Sequence, residues 1–301
     1  MARSYRFELV GAFGCPIDEN PTGVMSEAAF AAAGLNYRYL PIEIRDGGLE
    51  AAMQAVRALG MRGINLTVPH KVKVLKYLDE LSPSAEIIGA VNTVVDRGGR
   101  LWGDNTDGKG FLLSLEEAGV PVAGKAVTLL GAGGAARAIA VECALAGAKT
   151  ITIVNRDPER GQSLADLIAS RTDAESRLVL WDGPVAVPAD TDILVNATTV
   201  GLYPNTQEKP DLDYGSTHAR MVLSDVIFND PDSLFLREGK RRGCRTVNGL
   251  GMLVNQAALN FRLWTGVEAS RTLMMDVLRR EFGLDAGSPV AMPGGREAAA
   301  E

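Results

Sequence analysis

Two short segments carry the side chains best suited to moving a proton. NLTVPHK sets Lys71 just beyond a strand end, and GDNTDGKG sets Asp107 in a glycine-flanked loop. Small polar residues crowd around both: Asn65, Thr67, Asn92, Thr93, Asn105 and Thr106. Such residues orient a polyhydroxylated ligand better than they fill a core. A single lysine or aspartate is ordinarily a surface charge, so the argument rests on the company these two keep. Oxidising an alcohol requires a hydride acceptor and a proton acceptor. A lysine can relay the proton, and a nearby carboxylate can hold the lysine and share it, so the two act as one coupled pair.

The hydride acceptor is suggested by LLGAGGAARA. Gly131, Gly133 and Ala136 fit G-x-G-x-x-G/A between a buried strand and a helix. Gly131 allows the tight turn, Gly133 the approach of a pyrophosphate, and Ala136 close helix packing. Open N–H groups and the dipole at the helix start favour phosphate charge. The next strand, TITIVNR, ends in Asn155 and Arg156, with Arg160 four residues beyond. An amide and two guanidiniums suit a 2′-phosphate, which points to NADP, with NAD as the other candidate. Asp157 has two readings: it binds a bare ribose, or it caps a helix starting at Pro158.

Elements that could position these residues alternate along the chain. Strand-like YRFELVGAF, NYRYLPIEI and MRGINLTVP interleave with helix-like MSEAAFAAAGL, GLEAAMQAVRALG and VKVLKYLDEL. AVNTVVDRGGRLWGDN reads as two strands around a Gly-Gly turn. The alternation predicts a parallel sheet with crossover helices. A second α/β unit opens near Lys125, and the chain is helical from MLVNQAALNFRLWTG to RTLMMDVLRREFG. The expected fold class is α/β. A substrate domain (1–107 and 256–285) is completed by C-terminal helices, a Rossmann-type domain spans 108–255, and the Pro/Gly-containing tail 286–301 is expected to be disordered.

Composition narrows the function. A net charge of −6 without a basic stripe argues against nucleic acid as the main partner. No apolar run approaches the roughly 20 residues of a spanning helix, so no membrane partner is expected. Three scattered cysteines and two histidines offer no metal spacing and suit a reducing, cytoplasmic setting.

NLTVPHK, GAVNT, GDNTDGKG, GAGGAAR, VNATTVG and NGLGMLVNQA follow one another in this order, and together they resemble the shikimate/quinate dehydrogenase family. The resemblance runs from about residue 5 to residue 283. It implies NADP-dependent interconversion of shikimate and 3-dehydroshikimate, with Lys71 and Asp107 as the catalytic pair. It places Thr67, Asn92 and Gln256 on the ring hydroxyls. Gly131, Ala132, Gly133, Gly134 and Ala135 fall on the dinucleotide loop, Asn155, Arg156 and Arg160 at the adenosine end, and Thr198, Gly249 and Met252 among the cofactor contacts. The family's carboxylate loop reads approximately S-x-S-P-x-x-H-N-x-x-F, whereas this chain reads NPTGVMSEAAF. Asn20 and Thr22 stand for the two serines, Gly23 for the proline, Ser26 for the histidine and Glu27 for the asparagine. Phe228 stands where the family often has Tyr.

The sequence therefore predicts an NAD(P)-dependent alcohol dehydrogenase, monomeric or homodimeric, acting on a small polyhydroxylated cyclic substrate. Shikimate, quinate, an amino-substituted analogue and another cyclic polyol all remain open. A non-catalytic dinucleotide-binding regulator is the alternative from another class, disfavoured by the presence of both Lys71 and Asp107. A folate-linked dehydrogenase shares the two-domain plan but not the Asp107 loop or NGLGMLVNQ.

Overall fold

A computed structural model describes residues 5–284. The tail expected to be disordered, 286–301, lies outside the described residues. Strands β1 (Glu8–Gly14), β2 (Tyr37–Glu43) and β3 (Gly63–Leu66) run parallel, linked by α1 (Thr22–Ala32) and α2 (Leu49–Ala58). On α2 the buried Leu49, Ala52, Met53 and Val56 recur at helical spacing and close one core against β1 and β3.

Two expectations for this half need correction. The helix expected over VKVLKYLDEL is only α3 (His70–Lys73), continued by a 3-10 turn. Leu78 is already extended, so the chain can pair β4 (Glu80–Leu81) with the sheet. Asp79 decides this: its carboxylate takes Leu101 N at 2.6 Å and Arg57 Nη2 at 2.9 Å. The sheet is also mixed rather than parallel, in the order β2-β1-β3-β5-β6-β4. After α4 (Pro83–Ile88), β5 (Thr93–Arg97) and β6 (Arg100–Asp104) form a hairpin, and β5 is antiparallel to β3. Gly98 and Gly99 both have positive φ, 68° and 91°, as a two-residue primed turn requires.

The second sheet is parallel throughout: β14-β13-β11-β7-β8-β9. It is built from β7 (Ala126–Leu130), α6 (Gly134–Leu145), β8 (Thr150–Asn155), α7 (Pro158–Arg171) and β9 (Glu175–Leu180). The second half adds β11 (Ile193–Asn196), β13 (Val222–Asp225), α8 (Leu234–Arg241) and β14 (Arg245–Val247), with the short β10 (Val185–Ala186) and β12 (Leu212–Asp213) paired outside the sheet. Relabelled from β7, the order is 3-2-1-4-5-6, that of a dinucleotide-binding doubly wound sheet. Its chain reverses direction of winding between β7 and β11, so the loops after those two strands flank the ligand crevice.

Helix α5 (Thr106–Glu117) joins the two sheets, and α9 (Gly249–Thr265) leads the chain back. Two glycines let α5 sit tightly between neighbours. A Cβ on Gly108 would lie 2.4 Å from Ala138 O of α6, and one on Gly110 2.8 Å from Met252 O of α9. The expected domain boundaries, 107/108 and 255/256, fall inside these helices. The last helix, α10 (Arg271–Glu281), packs with α1 and α9, where Phe30 stacks on Phe261 at 5.1 Å.

Candidate active site

Lys71 follows closely on the C-terminal end of β3. Its carbonyl accepts from Val91 N at 2.8 Å, and buried His70 donates from Nε2 to Ile44 O at 2.7 Å. Asp107 occupies the first turn of α5, where the helix dipole favours a carboxylate. Asn105 caps that turn, accepting from Asp107 N at 3.1 Å and donating from Nδ2 to Ala90 O at 3.1 Å. Lys71 and Asp107 meet. Lys71 Nζ donates to Asp107 Oδ2 at 2.6 Å, and Asn92 Nδ2 donates to Asp107 Oδ1 at 2.7 Å. The lysine and aspartate side chains keep 27% and 14% of their exposure, so a ligand can reach them.

A buried polar network stands behind the pair. Sheet register sets Asn65 of β3 opposite Thr93 of β5. Asn65 Nδ2 donates to Thr93 Oγ1 at 3.1 Å, and Asn65 Oδ1 accepts from the Tyr39 hydroxyl at 3.0 Å. Asn92 takes Thr106 N on its oxygen at 2.8 Å and gives Nδ2 to Thr106 Oγ1 at 3.0 Å. From α9, Asn260 Oδ1 accepts Thr93 Oγ1 at 2.7 Å and Thr106 Oγ1 at 2.8 Å, and its Nδ2 donates to Gln256 Oε1 at 3.0 Å. Such a network is stable only when its members find partners, and it then fixes each amide's direction. Of the expected ligand contacts, Asn92 is thus directly on the pair and Gln256 is joined to it through Asn260. Thr67 stands at the end of β3, its methyl packed so close to Gly14 that no Cβ fits there.

Sequence reasoning missed Tyr39 and Asn260. Asn260 left a signal, a second amide one helical turn after Gln256 on a largely apolar helix. Tyr39 left none beyond an inward place on a strand. Burial drives its phenol far above the ordinary tyrosine range, so it remains a neutral donor.

The altered loop behaves unlike an open ligand contact at both positions. Thr22 is only 4% exposed, and its side chain lies beside the Tyr39 phenol. Asn20 Oδ1 accepts Thr22 N at 2.9 Å, holding the first N–H of α1. Among the described residues the Asn20 Nδ2 group has no hydrogen-bond partner, and neither does the buried Ser26 hydroxyl. Phe228 stacks on Phe282 at 5.9 Å.

At the second sheet, Gly131 has φ of 100°, and a Cβ there would lie 3.1 Å from the Thr198 methyl. Thr198 is itself fixed, its hydroxyl donating to Asn196 Oδ1 at 2.6 Å. No side chain caps α6, so the backbone N–H groups of Gly134 and Ala135 stay open beside Ala132 and Gly133. At the end of β8, Arg156 lies over the Trp181 ring at 5.5 Å, and among the described residues neither Arg156 nor Arg160 pairs with a carboxylate. Asp157 caps α7 by accepting Arg160 N at 3.1 Å, and Asn155 Nδ2 donates to Asp157 O at 2.7 Å. These features fit a phosphate-bearing dinucleotide. Gly249 opens α9 against Ile227 O, 2.4 Å from where a Cβ would stand, and Met252 lies half-buried beside the second core.

Comparison with known proteins agrees with this arrangement. Residues 12–94 match the shikimate dehydrogenase substrate binding domain, residues 114–209 the shikimate / quinate 5-dehydrogenase family, and residues 249–279 the shikimate 5′-dehydrogenase C-terminal domain. The NADP-dependent shikimate dehydrogenase of Desulforamulus reducens is 41% identical over 277 residues, covering 91% of this chain and 95% of that protein. The chain belongs to the shikimate dehydrogenase family. Among solved members, the shikimate 5-dehydrogenase of Listeria monocytogenes in complex with shikimate and NAD is 36% identical. It covers 91% of this chain and 97% of its own, with a TM-score of 0.87. The ligand-free 5-ketofructose reductase of Gluconobacter sp. strain CHM43 is 46% identical, covers 92% and 99%, and has a TM-score of 0.88. The proteins that this chain resembles thus carry different substrates in their names. No helix among the described residues is long and apolar enough to cross a membrane.

Proposed function

We propose that the protein reversibly oxidises a secondary alcohol on a small polyhydroxylated ring with NADP, its substrate being shikimate or a close analogue such as quinate. The contact that carries this reading is Lys71 Nζ on Asp107 Oδ2 at 2.6 Å, beside Asn92. The bound dinucleotide supplies or accepts the hydride. Gly131 to Ala135 would hold its pyrophosphate, and Asn155, Arg156 and Arg160 its phosphorylated ribose. Thr198, Gly249 and Met252 would face its other end. In the reducing direction the Lys71 ammonium gives a proton to the substrate oxygen, and Asp107 keeps the lysine aimed. In the oxidising direction the pair takes that proton back. Asn92, Thr67 and Gln256 orient the remaining hydroxyls.

A second reading of the substrate, a neutral polyhydroxylated ketone, is favoured by the Asn20–Thr22 loop. A carboxylate is held best by several convergent donors. Here one candidate hydroxyl, that of Thr22, is buried beside Tyr39, and the Asn20 oxygen accepts from Thr22 N. The 46% identity to a 5-ketofructose reductase supports the same view.

A panel of shikimate, quinate and 5-ketofructose with NADP(H) and NAD(H), followed by dinucleotide absorbance, decides. A kcat/KM for 5-ketofructose about tenfold or more above that for shikimate favours the neutral ketone, and the reverse order favours the ring carboxylate. No turnover of any of them overturns the proposal. Asn20→Ser combined with Thr22→Ser is expected to raise kcat/KM for shikimate and lower it for a neutral substrate. Micromolar KM for shikimate in the wild type, unimproved by the double change, sinks the role given to this loop.

A further inference from the structure

Asn260 is completely buried on α9, one turn beyond Gln256, and its side-chain hydrogen bonds go to Thr93, Thr106 and Gln256 rather than to Lys71 or Asp107. Its place is explained by where the neighbouring protons go. The Thr93 and Thr106 oxygens already accept from Asn65 Nδ2 at 3.1 Å and Asn92 Nδ2 at 3.0 Å. Each hydroxyl therefore has one proton to give. Asn92 Oδ1 lies 3.0 Å from Thr93 Oγ1 and 3.2 Å from Thr106 Oγ1, but it is already engaged by Thr106 N at 2.8 Å. Asn260 Oδ1 is nearer to both hydroxyls, at 2.7 Å and 2.8 Å. Both protons converge there, which turns Asn260 Nδ2 toward Gln256.

The consequence falls on Gln256. Facing an N–H donor, it must present Oε1 to Asn260, at 3.0 Å, and its Nε2 is carried to the opposite side. One N–H of that nitrogen goes to Leu253 O at 3.1 Å, and the other is left over. An unconstrained glutamine could offer either its oxygen or its nitrogen to a ligand. This one is committed.

We infer that Asn260 is a positioning residue that locks Gln256 as a hydrogen-bond donor, so that the substrate must bring an acceptor oxygen to that point. The inference rests on the reading that Gln256 meets the ligand. Asn260 acts through Gln256 rather than through the proton-transfer pair, and the effect belongs to binding.

The test is a double-mutant cycle with Asn260→Leu and Gln256→Leu, read as KM and kcat for shikimate oxidation and for 5-ketofructose reduction. Leucine keeps the branched outline of asparagine with two methyl groups in place of the amide atoms, and the two threonine hydroxyls can turn to Asn92 Oδ1. Asn260→Leu is expected to raise KM about tenfold with kcat changed less than about threefold. Dinucleotide affinity should stay at the wild-type value. Gln256→Leu should do the same, and the double variant should be no worse than the poorer single one. Additive KM effects, or a fall in kcat with KM unchanged, overturn the inference while leaving Gln256 as a ligand contact. An unchanged KM in Gln256→Leu overturns the ligand reading and the inference with it. Should Asn260→Leu not fold, Asn260→Ser, too short to reach Gln256 and small enough to admit a water, is read by the same criteria.

Discussion

At the residue scale, the same residue type can serve the fold or the chemistry, and the partner of each atom decides which. Asp157 is the clearest case. Its carboxylate caps α7, which leaves the guanidiniums of Arg156 and Arg160 as the charges at the end of β8. Replacing both arginines with alanine should weaken NADP far more than NAD, by about 2 kcal/mol or more, because charge-assisted bonds to the 2′-phosphate are lost. Equal losses in titrations of the two dinucleotides would assign the preference to other groups. Asp225 has a different role. It ends β13 and accepts from Asn196, Ile227 N and Ser233, yet burial outweighs these bonds and pushes its carboxyl up to about 6. An unfolded aspartate titrates near 4, so the folded protein holds a proton that the unfolded chain has released. Its contribution to stability is complete below about pH 4 and is lost as pH rises through about 6. Asp225→Asn removes this ionisation. Denaturation curves should show the variant gaining on wild type across that window, by on the order of 2 kcal/mol, with no further gain above it. A difference independent of pH would contradict the account.

At the scale of elements, α5 is the part on which both halves depend. It presents Asp107 at one end and is pressed between α6 and α9 along its length. Gly110→Ala would drive a methyl to 2.8 Å from Met252 O and Gln256 N, both backbone atoms of α9 that cannot swing aside. The expected cost is about 1–3 kcal/mol in a denaturant titration, together with reduced activity as α9 shifts. Unchanged stability would mean that α5 and α9 are not rigidly apposed. Periodicity made most elements readable: α2 and β5–β6 fall where the spacing and the Gly-Gly turn put them. What was not readable depended on partners distant in sequence. β9 reads ESRLVL, three polar residues and then three apolar ones, with no alternation to mark a strand, and it becomes one along the edge that β8 offers. The end of α3 is decided by Asp79 reaching Leu101 across the sheet.

At the scale of the whole molecule, two sheets are joined through the packed helices α5 and α9. The NLTVPHK and GDNTDGKG segments and the glycine-rich loop after β7 were legible because each is a compact local motif. Tyr39 and Asn260 were not, because their importance lies in the network they close between β2, β3, β5 and α9, which no single segment encodes. The substrate end was legible only as a departure from the family loop. Geometry then showed that departure to be partly structural, with Thr22 buried under Tyr39 and Asn20 holding the start of α1.

The central claim is that Lys71 and Asp107 transfer the proton and do not hold the dinucleotide. Steady-state kinetics of Lys71→Ala and Asp107→Ala, each paired with an NADP titration, test it most directly. The account predicts that kcat falls about 100- to 10,000-fold in both variants, the usual cost of losing a general acid–base group, while NADP binds nearly as in the wild type. Turnover near the wild-type rate in both variants would contradict it.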